Sequence, residues 1–398
     1  MSNLQVIETS LTSDSLRELA EAIADAWRAR AAGDQPQPLL VLDAAAPAHQ
    51  RAALVARAAN HATSDVIVAT SGSSGSQPHL VGLSWAALLH SAQTTLDFLA
   101  PEGDSQWFLS LPTHHVSGLL VVIRGLLCGR APIVAPDLPA ALADFAATPG
   151  MALYGAVVPT QLQRWAENSA LTRLDALLVG GARLEARLRH RAAHLPMVTT
   201  YGMTETCGGC VYDSRPLPNV RVRVGEGGVV ELSGPMLMDG YVDEPSPVVS
   251  ETSADGEAVT WLQTADRGIW DGSHLRILGR GDDVIISGGE NVSALAVEDA
   301  VRRQFPQLRD VYAWGMPDDK WGQAVAVTVA GEANDDVEAG TWGPRLHRAV
   351  RETLGAASAP RLVMATAQFP LLPNGKIDRK QLQLWAQTPS NDQNIWRR

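Results

Sequence analysis

The sequence predicts an α/β protein: a large N-terminal domain of parallel α/β layers with a β-rich subdomain, followed by a small mobile α+β domain. Three observations carry this expectation. Short apolar runs alternate with helical patterns from Leu39 to Thr200, as in a parallel sheet covered on both faces. After Tyr201, and as far as Ile286, short β-like runs are separated by glycine turns. From Asp282 onward helical and strand patterns mix again, which sets the division at residues 1–281 and 282–398. The 398 residues, 45% of them hydrophobic, suffice for more than one core.

The first element is a helix over Ser15–Arg30, where Leu16, Leu19, Ala20, Ile23 and Trp27 recur at helical spacing and Ser13 or Asp14 is the candidate cap. Strand-like runs follow at Leu39–Leu42, Val66–Ala69, Trp107–Leu111, Ile133–Ala135, Leu153–Val158, Ala176–Val179 and Met197–Thr200. Helical patterns lie between them at Trp85–Leu99, Gly118–Leu127, Pro139–Ala146, Thr160–Glu167 and Glu185–His194. The β-rich stretch holds Val220–Val224, Val229–Ser233, Thr260–Gln263, Leu275–Leu278 and Val284–Ser287. The last domain has helices at Leu295–Phe305 and Pro344–Leu354, and strands at Val311–Gly315, Ala324–Val329 and Arg361–Ala367. The polar tail, Pro389–Arg398, reads as loose.

Net charge narrows the partners. At −11, with a sequence pI near 5.4, the chain lacks the basic face that nucleic acid requires, yet backbone N–H groups can still hold a nucleotide. Three cysteines point to a reducing compartment. Cys207 and Cys210 form a C-x-x-C with no second pair, and His190 and His194 stand upstream on a basic helix, so a metal or redox site is the weaker reading. The N-terminus has no basic start or apolar h-region, and Arg124 breaks the longest apolar stretch, Val116–Leu127. We therefore expect a cytoplasmic protein with no membrane insertion; a homodimer is compatible with the sequence.

The first chemical signal is Thr70-Ser71-Gly72-Ser73-Ser74-Gly75, directly after the apolar run Val66–Ala69. Such a loop wraps backbone N–H groups and hydroxyls around phosphate oxygens, because glycine tolerates the required dihedrals and adds no bulk. Alone it reads equally well as a flexible loop. It is joined, in order, by Tyr201-Gly202-Met203-Thr204-Glu205, Thr264-Ala265-Asp266-Arg267-Gly268, Gly279-Arg280-Gly281-Asp282, Ser287-Gly288-Gly289-Glu290-Asn291 and Pro373-Asn374-Gly375-Lys376. Together these closely resemble the adenylate-forming superfamily of acyl-CoA ligases, firefly luciferase and peptide-synthetase adenylation domains. The resemblance runs from Val66 to Leu382.

The resemblance implies an ATP-dependent, AMP-forming acid–thiol ligase with Mg²⁺ as metal and ATP and coenzyme A as co-substrates. Thr70, Ser71, Gly72, Ser73, Ser74 and Gly75 match the positions that hold the ATP phosphates. Thr204 matches a residue at the α-phosphate, and Glu205 the carboxylate that helps place Mg²⁺. Gly180, Gly181, Ala182, Tyr201 and Gly202 match segments around adenine, and Asp266 and Arg280 match contacts to the ribose. Lys376 matches the mobile cation that offsets charge as a carboxylate attacks the α-phosphate. Asp282 matches the hinge, and Ser287, Gly288 and Gly289 the segment that pantetheine approaches. Departures are His79 where the family usually has lysine, Ala265 for a glycine, and Ala294 and Ala296 after the Asn291-Val292 pair.

The acyl side is marked by His115, Ser117, Gly118 and Arg124. Arg124 interrupts an apolar helix, where an unpaired charge is costly. It reads either as a surface or internally paired arginine, or as a bidentate anchor for a second substrate carboxylate. With the short N-terminal region, this arrangement is similar to the o-succinylbenzoate–CoA ligases of menaquinone biosynthesis. A ligase for another aryl or fatty acid, and a weakly active nucleotide-binding relative, are the competing expectations.

Overall fold

The computed structural model describes residues 4–61, 64–70, 78–100, 103–252, 256–281, 284–331, 339–371, 377–388 and 393–398. The chain separates into two compact units. One comprises Met1–Arg223, Glu231–Thr264 and Trp270–Leu275; the other comprises Val224–Val230, Ala265–Ile269 and Arg276–Arg398.

The first unit holds two sheets. One is ordered Gln5–Thr9, Leu39–Asp43, Val66–Ala69, Leu80–Leu83 and Gly240–Tyr241; its first three strands are parallel and the last two antiparallel. The other contains the parallel array Ile133–Val134, Ser105–Leu109, Ala152–Val157, Ala176–Val179 and Met197–Met203, extended by antiparallel Gly208–Tyr212 and Arg215–Pro216. The expected parallel layers are thus present, with antiparallel strands added at their margins. Leu80–Leu83 and Gln5–Thr9 are too short and too closely flanked by loops to stand out by periodicity.

Helices Ser13–Ala31, Trp85–Leu99 and Val116–Leu127 share one apolar core with these sheets. The first is capped by Thr12, whose hydroxyl accepts from Ser15 N–H, and not by Ser13 or Asp14. The extended backbone of Thr12 puts its oxygen over the open N–H groups, which the helical Ser13 cannot do. In Val116–Leu127 every residue from Val116 to Gly125 except Ser117 is buried, so packing and not amphipathic patterning fixes this helix. Among the described residues no helix is long and apolar enough to cross a membrane.

A further sheet is ordered Arg221–Val224, Val229–Ser233, Ala258–Trp270 and Val248–Thr252, with Leu275–Arg280 beside Ala258–Trp270. The second unit is built on Glu290–Ser293, Val284–Ser287, Gly322–Gly331, Leu362–Thr366 and Gln393–Arg397, with Leu308–Asp318 paired to Gly322–Gly331. Helices Ala294–Gln304 and Ala339–Leu354 cover its core. Two expectations are corrected. Val284–Ser287 pairs with Glu290–Ser293 and Gly322–Gly331, so it belongs to this sheet and not to the preceding β-rich stretch. The described part of the tail is not loose: Gln393–Arg397 pairs antiparallel with Leu362–Thr366, and Trp396 packs on Gly343, where any Cβ would lie 2.2 Å from the indole, while residues 389–392 lie outside the described residues. One tryptophan meeting one glycine supplies apolar burial that average polarity conceals.

Candidate active site

Parallel strands deliver their following loops to one edge, the usual ligand-binding edge of such sheets. Three candidate segments arrive there. Ser105–Leu109 leads into Leu111–Gly118, Ala176–Val179 into Gly180–Ala182, and Met197–Met203 carries Tyr201 and Gly202 into Thr204-Glu205. Val179 pairs with Thr199, which places the loop after one strand beside the end of the next. Glycine is required at both crossings. A Cβ on Gly180 would lie 2.1 Å from Thr200 Oγ1, and one on Gly202 would lie 2.0 Å from Gly208 O.

Beyond Met203 the chain forms a short turn, Thr204–Thr206. Thr206 Oγ1 accepts from Met203 N–H at 2.9 Å and donates to Gly208 O at 2.7 Å, so the turn is locked beneath Glu205. Glu205 is fixed from the other side: its carbonyl accepts from Met238 N–H, and its Oε1 accepts from Tyr241 Oη, each at 2.9 Å. A carboxylate held by one oxygen keeps the other for a hard cation. Among the described residues no group of three His, Cys, Asp or Glu could hold a metal. Mg²⁺ keeps waters and phosphates as most of its ligands and needs one or two protein carboxylates, a role open to the second oxygen of Glu205.

Tyr241 was not legible as a site residue. It reaches the site because Gly240–Tyr241 pairs with Leu80–Leu83, the strand that leaves the phosphate loop. At the loop mouth Thr70 N–H donates to His79 O at 2.9 Å, continuing the ladder between Val66–Ala69 and Leu80–Leu83. Ser71, Gly72, Ser73, Ser74 and Gly75 lie outside the described residues. His79 stacks on Tyr241 with ring centroids 4.7 Å apart, and its Nδ1 is 2.9 Å from Glu244 Oε1, out of line for a hydrogen bond. Arg57 completes this wall: it donates to Pro78 O at 2.9 Å and grips Asp243 with two nitrogens, which raises its pKa. Arg57 gave no sequence signal, since its partners lie across the first sheet.

His115 begins helix Val116–Leu127 with extended backbone dihedrals, and its ring lies 4.3 Å from that of His114. Gly118 is obligatory, because a Cβ there would lie 2.2 Å from Pro112 O. Ser117 is exposed at the helix start. Burial pushes the His114 pKa down, against a smaller opposing pull from Asp43.

Arg124 is the unusual group. It is 3% exposed inside the main core and is not a surface residue. Its Nη2 donates to Thr95 Oγ1 at 3.1 Å, and its guanidinium carbon lies 5.4 Å from the Trp107 ring centroid. Thr95 donates its single proton to Ser91 O, so it accepts from both Arg124 and Tyr212. Arg124 Nε has no hydrogen-bond partner, and among the described residues no carboxylate pairs with the guanidinium. Burial depresses its pKa, with Tyr212 acting weakly the other way, but arginine keeps its proton. The result is a desolvated cation with unused donors.

Cys207 and Cys210 are both buried and free. Burial raises both thiol pKa values, that of Cys210 to about 12, which keeps them as packed thiols.

The second unit carries the remaining described candidates. Asp266 and Arg280 stand on neighbouring strands, Ala258–Trp270 and Leu275–Arg280. Ser287-Gly288-Gly289-Glu290 is a two-residue hairpin with φ of +62° and +83° at the glycines, the type I′ signature. A Cβ on Gly288 would lie 2.4 Å from the Trp321 ring. Ser287 is fully buried with an unpartnered hydroxyl. Asp282 and Lys376 lie outside the described residues.

A family model described as AMP-binding enzyme matches residues 5–242. This chain belongs to the AMP-binding enzyme family. Within the family it is 34% identical, over 80% of its length and 83% of the relative's, to a probable 2-succinylbenzoate–CoA ligase of Mycobacterium tuberculosis H37Rv. It is 28% identical to the 2-succinylbenzoate–CoA ligase of Lactococcus lactis, over 80% and 70% of the two chains. Among solved family structures, ATP-bound MatB from Rhodopseudomonas palustris superposes with a TM-score of 0.76 at 19% identity, covering 97% of this chain and 88% of that one. The o-succinylbenzoate CoA synthetase of Bacillus subtilis with its acyl-adenylate gives 0.72 at 19%, covering 96% and 94%. At such identities the likeness establishes the fold. The chain is thus an adenylate-forming, ATP-using acid–CoA ligase.

Proposed function

We propose that this enzyme is an o-succinylbenzoate–CoA ligase. It activates the succinyl carboxylate as an acyl-adenylate with release of pyrophosphate, then transfers the acyl group to the coenzyme A thiol. The observation that carries the substrate is Arg124: a buried guanidinium with unmatched donors, on the helix that follows His115, calls for an anionic group delivered to the core. The benzoate carboxylate is that group, held while the succinyl carboxylate reacts. The names of the mycobacterial and lactococcal relatives support the same substrate. A monocarboxylate would leave Arg124 unmatched, which disfavours the fatty-acid reading.

In this reading Thr70 to Gly75 cradle the ATP phosphates. Gly180 to Ala182, Tyr201 and Gly202 border adenine, and Asp266 and Arg280 bind the ribose hydroxyls. Glu205, oriented by Tyr241, would hold Mg²⁺, which supplies neutralisation of phosphate charge. Thr204 contacts the α-phosphate as the carboxylate oxygen forms its bond to phosphorus and pyrophosphate departs. Lys376 offsets the charge that gathers in this step. Ser287, Gly288 and Gly289 form the segment that pantetheine approaches, at the two exposed glycines beside the buried serine, and residues 1–281 and 282–398 act as separate domains hinged at Asp282. Soluble co-substrates suit a cytoplasmic enzyme.

The test is turnover of purified protein with ATP, Mg²⁺ and coenzyme A, reading pyrophosphate and thioester. o-Succinylbenzoate is the expected substrate, against benzoate and a medium-chain fatty acid in parallel. Equal or faster turnover of the monocarboxylates would remove the substrate assignment and leave the ligase chemistry.

A further inference from the structure

In a chain of net charge −11, the second unit gathers arginines around one cleft. The cleft, of about 350 Å³, is lined by Pro344, His347, Arg348, Arg351, Trp396, Arg397 and Arg398. Two elements build it. Pro344, Arg348 and Arg351 follow at i, i+4 and i+7 on helix Ala339–Leu354, so they share a face. The strand Gln393–Arg397 and the following Arg398 form the opposite wall, seated by Trp396 on Gly343 and by the bond from Arg398 N–H to Arg361 O.

None of Arg348, Arg351, Arg397 or Arg398 forms an ion pair among the described residues. His347 adds no negative charge. Its Nδ1 faces Pro360 O at 2.8 Å and therefore donates, so its Nε2 is bare and accepts from the Arg398 guanidinium. Arg397, the alternate residue on the strand, turns its guanidinium to the other face, where it donates to Ala386 O at 2.6 Å. Three fixed cations, Arg348, Arg351 and Arg398, therefore share the cleft without a counter-ion, and an anion that satisfies several of them gains all of that field at once. Planar guanidinium forks match phosphate oxygens two at a time. The volume suits a small molecule and not a folded partner.

We propose that this cleft is a binding site for a small phosphorylated anion, with Arg348, Arg351 and Arg398 as its ligands. None of the described candidate residues of the adenylation reaction lines it. The probe is radiolabelled inorganic pyrophosphate in equilibrium dialysis with the full chain, at constant ionic strength set by chloride. Wild type is expected to bind one equivalent more than the Arg348→Gln/Arg351→Gln double variant, which alters only exposed helix positions. Arg398→Gln, from the opposite wall, is expected to weaken the same equivalent by about tenfold, because charge-assisted bonds are the strong ones. Circular dichroism melting confirms that each variant is folded. Identical stoichiometry and affinity in wild type and both variants would overturn the site.

Discussion

Replacing Arg124 with methionine separates its structural from its functional value. In the folded chain its guanidinium has one side-chain hydrogen bond, at 3.1 Å, and one aromatic face, at 5.4 Å. A hydrogen bond from a charged donor contributes about 1.5–3 kcal/mol, and a desolvated cation–π contact about 2 kcal/mol. Against these stands a desolvation cost of several kcal/mol per buried ion, with no carboxylate to offset it. The resting protein therefore gains little or nothing from the charge. Methionine keeps most of the volume, so Arg124→Met is expected to unfold at the same temperature as wild type or higher. Substrate binding moves the other way. Losing one partner of a buried charge pair costs about 2–5 kcal/mol, or roughly 30- to 4,000-fold in kcat/KM at about 1.4 kcal/mol per factor of ten. The loss should be confined to o-succinylbenzoate, with residual turnover of a monocarboxylate unchanged. The assay is steady-state pyrophosphate release beside thermal unfolding. Retention of kcat/KM for the dicarboxylate within about threefold would refute the anchor, on the coupling argument above. So would a clear drop in unfolding temperature with equal losses for both substrates, since Arg124 would then be structural.

Other outcomes follow from single contacts. Tyr241→Phe removes the 2.9 Å bond that orients Glu205; at about 1–2 kcal/mol the Mg²⁺ concentration for half-maximal activity should rise by about tenfold, and no change in that titration would exclude Tyr241 as a positioning residue. Lys376→Ala should slow adenylation by on the order of 100- to 1,000-fold while leaving thioester formation from supplied acyl-adenylate near normal; equal slowing of both half-reactions would contradict its assigned role. Gly202→Ala places a methyl 2.0 Å from Gly208 O between two paired strands, and should lower solubility and unfolding temperature sharply, whereas a normal melt would show that the strands can part there. Burial depresses the pKa of His114 and His347 in the folded chain from the ordinary 6.5. Their contribution is complete above about pH 6.5 and is lost as pH falls through that value toward the folded pKa, because the unfolded chain takes up protons first. Unfolding free energy measured between pH 8 and 5 should fall, and His347→Gln should flatten part of the slope.

The sequence by itself determined the family, the alternation that gives the parallel layers, and the ordered loops that carry phosphate chemistry. These signals are local: glycines where backbones must cross, a Ser/Gly run after a strand, apolar runs bounded by turns. It also exposed Arg124, because a charge in an apolar helix is visible without knowing its neighbours. Tertiary structure alone decided what that charge meets. Thr95, Trp107 and Tyr212 come from three other elements, and only their convergence makes Arg124 a buried cation with donors to spare. Tyr241 and Arg57 were silent for the same reason, since each acts through a partner far along the chain, Glu205 in one case and Pro78 with Asp243 in the other. The tail shows the limit from the opposite side. Its polarity predicted looseness, but a strand position is set by backbone pairing and by the fit of Trp396 on Gly343, and neither is written in local composition.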